Sequence, residues 1–215
     1  KDRVTFASVG AGSLAHLGAE LFRSRTGIEL THVPYRSAPA AQQALMSGEA
    51  MLRREMALFS DWLLPRHLDY HMNADEQALW QQLTDLLVAN ALEQPQAGVH
   101  RDYHARNLMV LADDSIGVID FQDAVVGPIT YDAVSLLRDC YVAWPDALVY
   151  ALLDGFRQQL LAAGVAEAGD AGRFQRWFDL MGMQRHLKAI GIFARLNIRD
   201  GKPGYLKDIP RTLNY

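Results

Sequence analysis

Lysine is nearly absent from this sequence. The 215 residues contain four, Lys1, Lys188, Lys202 and Lys207, and none lies from Asp2 through Leu187. Arginine alone supplies permanent positive charge over that stretch, and its broad planar fork does not readily replace a point ammonium. Cysteine is scarcer still. Cys140 stands alone, so no internal disulfide can form, and its place among Leu136, Leu137, Tyr141 and Val142 marks it as a buried, inert thiol. No stretch approaches the roughly 18 uninterrupted apolar residues of a membrane helix. No basic-then-apolar leader opens the chain either, so a cytoplasmic protein without a membrane partner is expected. The chain begins with Lys rather than Met, which is compatible with upstream sequence having been removed. A net charge of -4 argues against a general nucleic-acid binder, which carries a basic surface.

With 50% hydrophobic and 21% charged residues, the composition is that of a globular protein with a sizeable core. Val4 to Val9 reads as a strand running into the turn Gly10-Ala11-Gly12-Ser13, and Leu14, Leu17, Leu21 and Phe22 follow at helical spacing. Ile28 to Val33 reads as a second strand and Ala40 to Met46 as a second helix, closed by Gly48. This βαβα segment is about half of an open α/β sheet and rarely stands alone.

The pattern changes at the candidate boundary Gly48 to Met51. Leu52, Met56, Phe59, Trp62 and Leu63 form an apolar stripe, with Arg53, Arg54 and Glu55 on the other faces. A long helix is predicted over Ala74 to Ala91. Short strands are predicted at Gly98 to His100, Asn107 to Leu111 and Ile116 to Ile119, the last two joined by a turn at Ala112-Asp113-Asp114-Ser115. Helices are predicted over Tyr131 to Trp144, Asp146 to Ala163 and Phe174 to Leu196. The fold class is therefore α+β, in two parts: residues 1–50 and a mostly helical part, residues 51–215.

The chemistry concentrates in His100-Arg101-Asp102-Tyr103-His104-Ala105-Arg106-Asn107, a pattern HxDxxxxN, followed by Asp120 at the end of an apolar strand. Phosphoryl transfer needs these types together: one carboxylate for the acceptor hydroxyl, and an amide oxygen and a second carboxylate for Mg²⁺ on the nucleotide phosphates. The hairpin between them can bring Asp120 back beside Asn107. A competing reading places His100, Asp102 and His104 on one strand face as a metal cluster, but it leaves Asn107 and Asp120 unexplained.

HRDYHARN and the following IDFQDA resemble the catalytic and metal-binding segments of the aminoglycoside phosphotransferase superfamily. The likeness continues through Gly127-Pro128-Ile129-Thr130-Tyr131-Asp132, Ser135 to Tyr141, Gln184 to Lys188 and Ile192 to Leu196. It is greatest to the bacterial cell-wall sugar kinases that phosphorylate the anomeric hydroxyl of N-acetylmuramate and N-acetylglucosamine. The resemblance implies a kinase-like C-lobe that uses ATP and Mg²⁺ on a small amino sugar. Asp102 would be the catalytic base with His100 bracing the loop, and Asn107 and Asp120 the metal ligands. Asp132 would hydrogen-bond the loop or cap the next helix. Asp123 would position loop or sugar, or be a surface carboxylate. Gln184, Arg185 and Lys188 would line the acceptor pocket or form a solvated helix face.

In this family a glycine-rich flap and a strand lysine grip the nucleotide. The lysine-free stretch, and a glycine turn at Gly10 and Gly12 that leads into a helix, imply that this N-lobe is absent. Residues 3–49 resemble instead part of the periplasmic solute receptors of tripartite tricarboxylate transporters, in which a GxGS turn and an HVPYR stretch flank a carboxylate. Three readings follow: an active sugar phosphotransferase, a small-carboxylate binding module, or a non-catalytic chimeric remnant. Exposed lobe interfaces would favour self-association.

Overall fold

The computed structural model describes residues 4–8, 30–34, 48–120 and 122–215. The expected turn at Gly10, Gly12 and Ser13 and the expected helices at 14–22 and 40–46 lie outside the described residues. The chain divides into two compact units, Lys1–Ser47 and Gly48–Tyr215. In the first, β1 (Val4–Ser8) and β2 (Leu30–Pro34) pair in parallel, from Val4 against Leu30 to Ser8 against Pro34.

The second unit is mostly helical with two small antiparallel sheets. Helix α1 (Gly48–Leu58) runs into a π-helical segment, Phe59–His67, that contains Pro65. Helix α2 (Ala74–Glu93) begins at a capping box, in which Asn73 accepts from the Glu76 N–H at 3.0 Å and Glu76 accepts from the Asn73 N–H at 2.8 Å. Strand β3 (Gln96–Val99) pairs with β6 (Val125–Pro128), and β4 (Leu108–Val110) pairs with β5 (Ile116–Val118). The β4–β5 turn closes where Asp113 accepts from both the hydroxyl (2.6 Å) and the N–H (3.1 Å) of Ser115.

Helices α3 (Tyr131–Leu137), α4 (Asp146–Ala162), α5 (Ala171–Asp200) and α6 (Ile209–Leu213) complete the unit. The long helix α5 is its spine, started by the Asp170 carboxylate on the Arg173 N–H (2.9 Å) and ended at Gly201 with φ of 63°. Phe174, Trp177, Phe178 and Met181 of α5 meet Leu52 and Met56 of α1, Leu87 and Val88 of α2, Val134 of α3 and Val149 and Leu153 of α4 in one core.

Two departures from the sequence reading have identifiable causes. The helix expected to run from Tyr131 to Trp144 stops at Leu137. Asp139 accepts from the Tyr141 N–H at 2.8 Å, a side-chain turn that competes with helical bonding. Strand β6 was not expected. It carries Gly127 and Pro128, residues that depress strand propensity, and its pairing with β3 decides the matter.

The crossing of α1 and α5 depends on Gly191. A Cβ there would lie 2.3 Å from the carbonyl carbon of Leu58 and 2.5 Å from the nitrogen of Phe59. Gly191→Ala is therefore expected to cost about 3 kcal/mol by overpacking backbone against backbone, read as a lower midpoint in denaturant unfolding.

His186 of α5 donates from Nε2 to the Arg138 carbonyl (3.0 Å), with its ring centroid 4.9 Å from that of Tyr215. Burial pushes its pKa down to about 4, from an ordinary 6.5. The unfolded chain therefore takes up the proton first as the pH falls. His186 stabilises the fold fully above pH 6.5 and loses that contribution towards pH 4, by at most about 3 kcal/mol. His186→Phe is expected to flatten the pH dependence of the unfolding free energy across that window.

Candidate active site

The loop after β3 is held at its entry by a carboxylate from another element. Asp132, in the first turn of α3, accepts from the N–H of His100 at 2.6 Å and of Arg101 at 3.0 Å. Arg101 has φ of 74°, a left-handed conformation unusual for a residue with a Cβ. Its carbonyl accepts from Arg185 Nη1 at 2.9 Å, and its guanidinium pairs with Glu55 of α1. Beyond it the Asp102 carbonyl accepts from the His104 N–H (3.0 Å) and from Asn107 Nδ2 (2.9 Å), while the Ala105 N–H donates to Asp139 (2.9 Å). Asn107 thus spends its amide nitrogen on the loop and keeps its oxygen as a donor to a cation.

The β4–β5 hairpin brings the chain back. The Ile119 N–H donates to the Asn107 carbonyl at 3.1 Å, and His100 Nε2 donates to the Ile119 carbonyl at 3.0 Å. Asp120 follows with φ of 67° and accepts a short hydrogen bond from Gln122 Nε2. Asp102, Asn107 and Asp120 then line one cleft of about 220 Å³, together with His104, Tyr141 and Phe193. The Asp120 carboxylate and the Asn107 amide oxygen are hard donors, a pair that suits Mg²⁺ shared with phosphate oxygens. No group of three or more His, Cys, Asp or Glu able to hold a metal occurs among the described residues. The metal cluster of His100, Asp102 and His104 is accordingly set aside: His100 is turned to Ile119, and His104 packs edge-on to Tyr141 at 5.3 Å.

A group of charged side chains beneath the loop is buried, against expectation. Glu55 does not face solvent. It is 6% exposed and contacts Arg101, Lys188 Nζ (2.9 Å) and Gln184 Nε2 (3.1 Å). Burial opposes its ionisation, but the Lys188 ammonium and the Arg101 guanidinium outweigh that cost and hold its carboxyl at about 2. The solvated-face reading of Gln184, Arg185 and Lys188 fails for the same reason. Gln184 and Arg185 are buried and Lys188 bonds both Glu55 and the Tyr131 hydroxyl (2.9 Å). Arg185 and Lys188 border the cleft, whereas Gln184 does not. Asp123 is half-buried and lies outside the cleft lining.

Residues 25–172 match the phosphotransferase enzyme family. The chain belongs to that family. It is 51% identical over 167 residues to the N-acetylmuramate/N-acetylglucosamine kinase of Pseudomonas aeruginosa strain PAO1 and 49% identical over 167 residues to that of Pseudomonas putida KT2440. Each match covers 78% of this chain and 49% of the relative, so the chain spans about half the length of these curated relatives. A shorter match, 41% identical over 46 residues, relates 21% of the chain to 14% of a protein of Pseudomonas sp. strain P51 named UPF0065 protein in tcbD-tcbE intergenic region.

The sequence reading gave Glu55 and Asp139 no role, although both touch the loop. Asp139 is 1% exposed and bridges the Ala105 and Tyr141 N–H groups. Glu55 was placed outside the apolar stripe and Asp139 inside a helix expected to continue, and both are buried carboxylates, which are costly unless paired.

Proposed function

We propose that the chain carries the acceptor and metal side of a phosphotransferase site that phosphorylates the anomeric hydroxyl of N-acetylmuramate or N-acetylglucosamine. The convergence of Asp102, Asn107 and Asp120 on one cleft is the observation that carries this reading. The 51% and 49% identical relatives, named as kinases of those two sugars, support the choice of acceptor. In the proposed step the sugar oxygen bonds to the γ-phosphorus of ATP as the bond to the bridging oxygen breaks and ADP departs. Asp102 orients the hydroxyl and takes its proton. Asn107 and Asp120 would hold Mg²⁺, which neutralises charge on the phosphate oxygens. His100 braces the loop against β5, Asp132 fixes its entry, and Arg185 and Lys188 border the acceptor end.

The nucleotide grip, in this reading, is supplied by sequence outside the matched half of the relatives. Two observations support it: the 49% coverage and the lack of any lysine from Asp2 through Leu187. The lengths of the two kinds of match, 167 and 46 residues, correspond to those of the units Gly48–Tyr215 and Lys1–Ser47, which favours a composite chain. No helix among the described residues is long and apolar enough to cross a membrane. The β4–β5 hairpin leaves Val110 72% and Ile116 56% exposed, a surface suited to self-association.

Incubation of the intact chain with Mg-ATP and either sugar tests the reading. Sugar phosphate whose formation stops on addition of EDTA supports it. Saturable sugar binding without transfer supports the acceptor side and places the defect in the nucleotide grip. Absence of both binding and transfer overturns it.

A further inference from the structure

The densest group of buried charge lies beneath the loop rather than in the cleft. Glu55 of α1 does not border the cleft, yet its carboxylate joins three elements through Arg101 of the loop and Lys188 and Gln184 of α5. Arg101 immediately precedes Asp102 and holds φ of 74°. A left-handed conformation in such a residue costs about 1–3 kcal/mol and persists only where its surroundings impose it. Here Asp132 fixes the Arg101 N–H, Arg185 fixes its carbonyl, and Glu55 fixes its guanidinium.

We propose that Glu55 is a positioning residue, which clamps Arg101 in its left-handed conformation and thereby sets the direction from which Asp102 meets the acceptor hydroxyl. The kinetic part of this inference rests on the phosphotransferase reading of the cleft; the conformational part does not. Charge, and not shape alone, is required of Glu55. Lys188 is repelled by Arg101 and Arg185 in a buried space, and loss of the Glu55 anion removes the carboxylate that holds Lys188 and Arg101 together. Of the elements these side chains join, the loop alone lacks regular structure beyond one helical turn at Ala105–Asn107. Because Lys188 and Arg185 also border the cleft, the same anion keeps the acceptor end in place.

The test is amide hydrogen exchange on the intact chain, comparing wild type with Glu55→Gln, which keeps the shape and removes the charge. Exchange in residues 100–107 is expected to quicken about tenfold or more, with residues 174–181 of the core changed less than about twofold. Arg176→Gln, which breaks the exposed pair with Glu93, serves as a control and should leave the loop unchanged. Where Glu55→Gln fails to unfold cooperatively, Glu55→Asp, which keeps the charge but withdraws it by one methylene, is read in the same way. Loop exchange equal to wild type in a cooperatively folded variant overturns the inference, as does an equal rise throughout the core.

In a chain that turns over, kcat is expected to fall about 10- to 100-fold with KM for the sugar changed less than about threefold, and Glu55→Asp should recover part of the loss. A loosened loop in a protein whose wild type neither binds the sugar nor transfers phosphate sustains the positioning role and counts against the proposed activity. Turnover lost with the loop unchanged does the reverse.

Discussion

Replacing Asp102 by Asn is expected to reduce Mg-ATP-dependent phosphate transfer to the sugar by about 10²- to 10⁴-fold, the range associated with loss of a positioned proton acceptor. The effect should fall on kcat. The hydrogen bonds that tie Asp102 into the loop, from the His104 N–H and Asn107 Nδ2, use its backbone carbonyl and survive the substitution. Thermal unfolding should therefore move little, equivalent to less than about 1 kcal/mol, as for substitutions that leave packing and buried hydrogen bonds intact. A rate loss accompanied by equal destabilisation would make Asp102 a structural residue instead.

Asp132→Ala should have the opposite profile, a large loss of stability together with a loss of rate. Its two oxygens accept from the N–H groups of His100 and Arg101 at 2.6 and 3.0 Å. Removing them leaves two half-buried donors without their acceptor, at about 1–3 kcal/mol each. It also frees Arg101 from one of the bonds that hold its φ of 74°. We expect a loss of about 2–6 kcal/mol in denaturant unfolding, a value composed of those two penalties. Asp132→Asn, which keeps an acceptor oxygen, should recover about half of it.

These two residues also mark what was legible in the sequence. HxDxxxxN and a later Asp on an apolar strand are local patterns, and the intervals Asp102 to Asn107 and Asn107 to Asp120 suffice to show that a hairpin can bring them together. Helix α2 was read to within two residues of its observed end, and α5 in its central part, Phe174 to Leu196 of Ala171–Asp200. Glu55 was misread because its partner Arg101 is 46 residues away, and no periodicity announces a pairing at that range. Gln184 lies 129 residues from its partner Glu55 in sequence. The side chains of α5 read as amphipathic with polar groups outward, whereas burial on several sides and pairing with Glu55 bring Gln184, Arg185 and Lys188 inside. The break at Leu137 depended on Asp139 finding the Ala105 and Tyr141 N–H groups, one of them distant in the chain.

The most direct measurement is phosphorus-31 NMR of N-acetylmuramate incubated with Mg-ATP and the unit Gly48–Tyr215, joined to the half of the Pseudomonas aeruginosa relative that this chain does not match. An anomeric sugar phosphate should accumulate with the joined protein and be lost on Asp102→Asn. A joined protein that folds, binds ATP and the sugar, and yet forms no sugar phosphate would contradict the assignment of Asp102, Asn107 and Asp120 as a working phosphotransfer site.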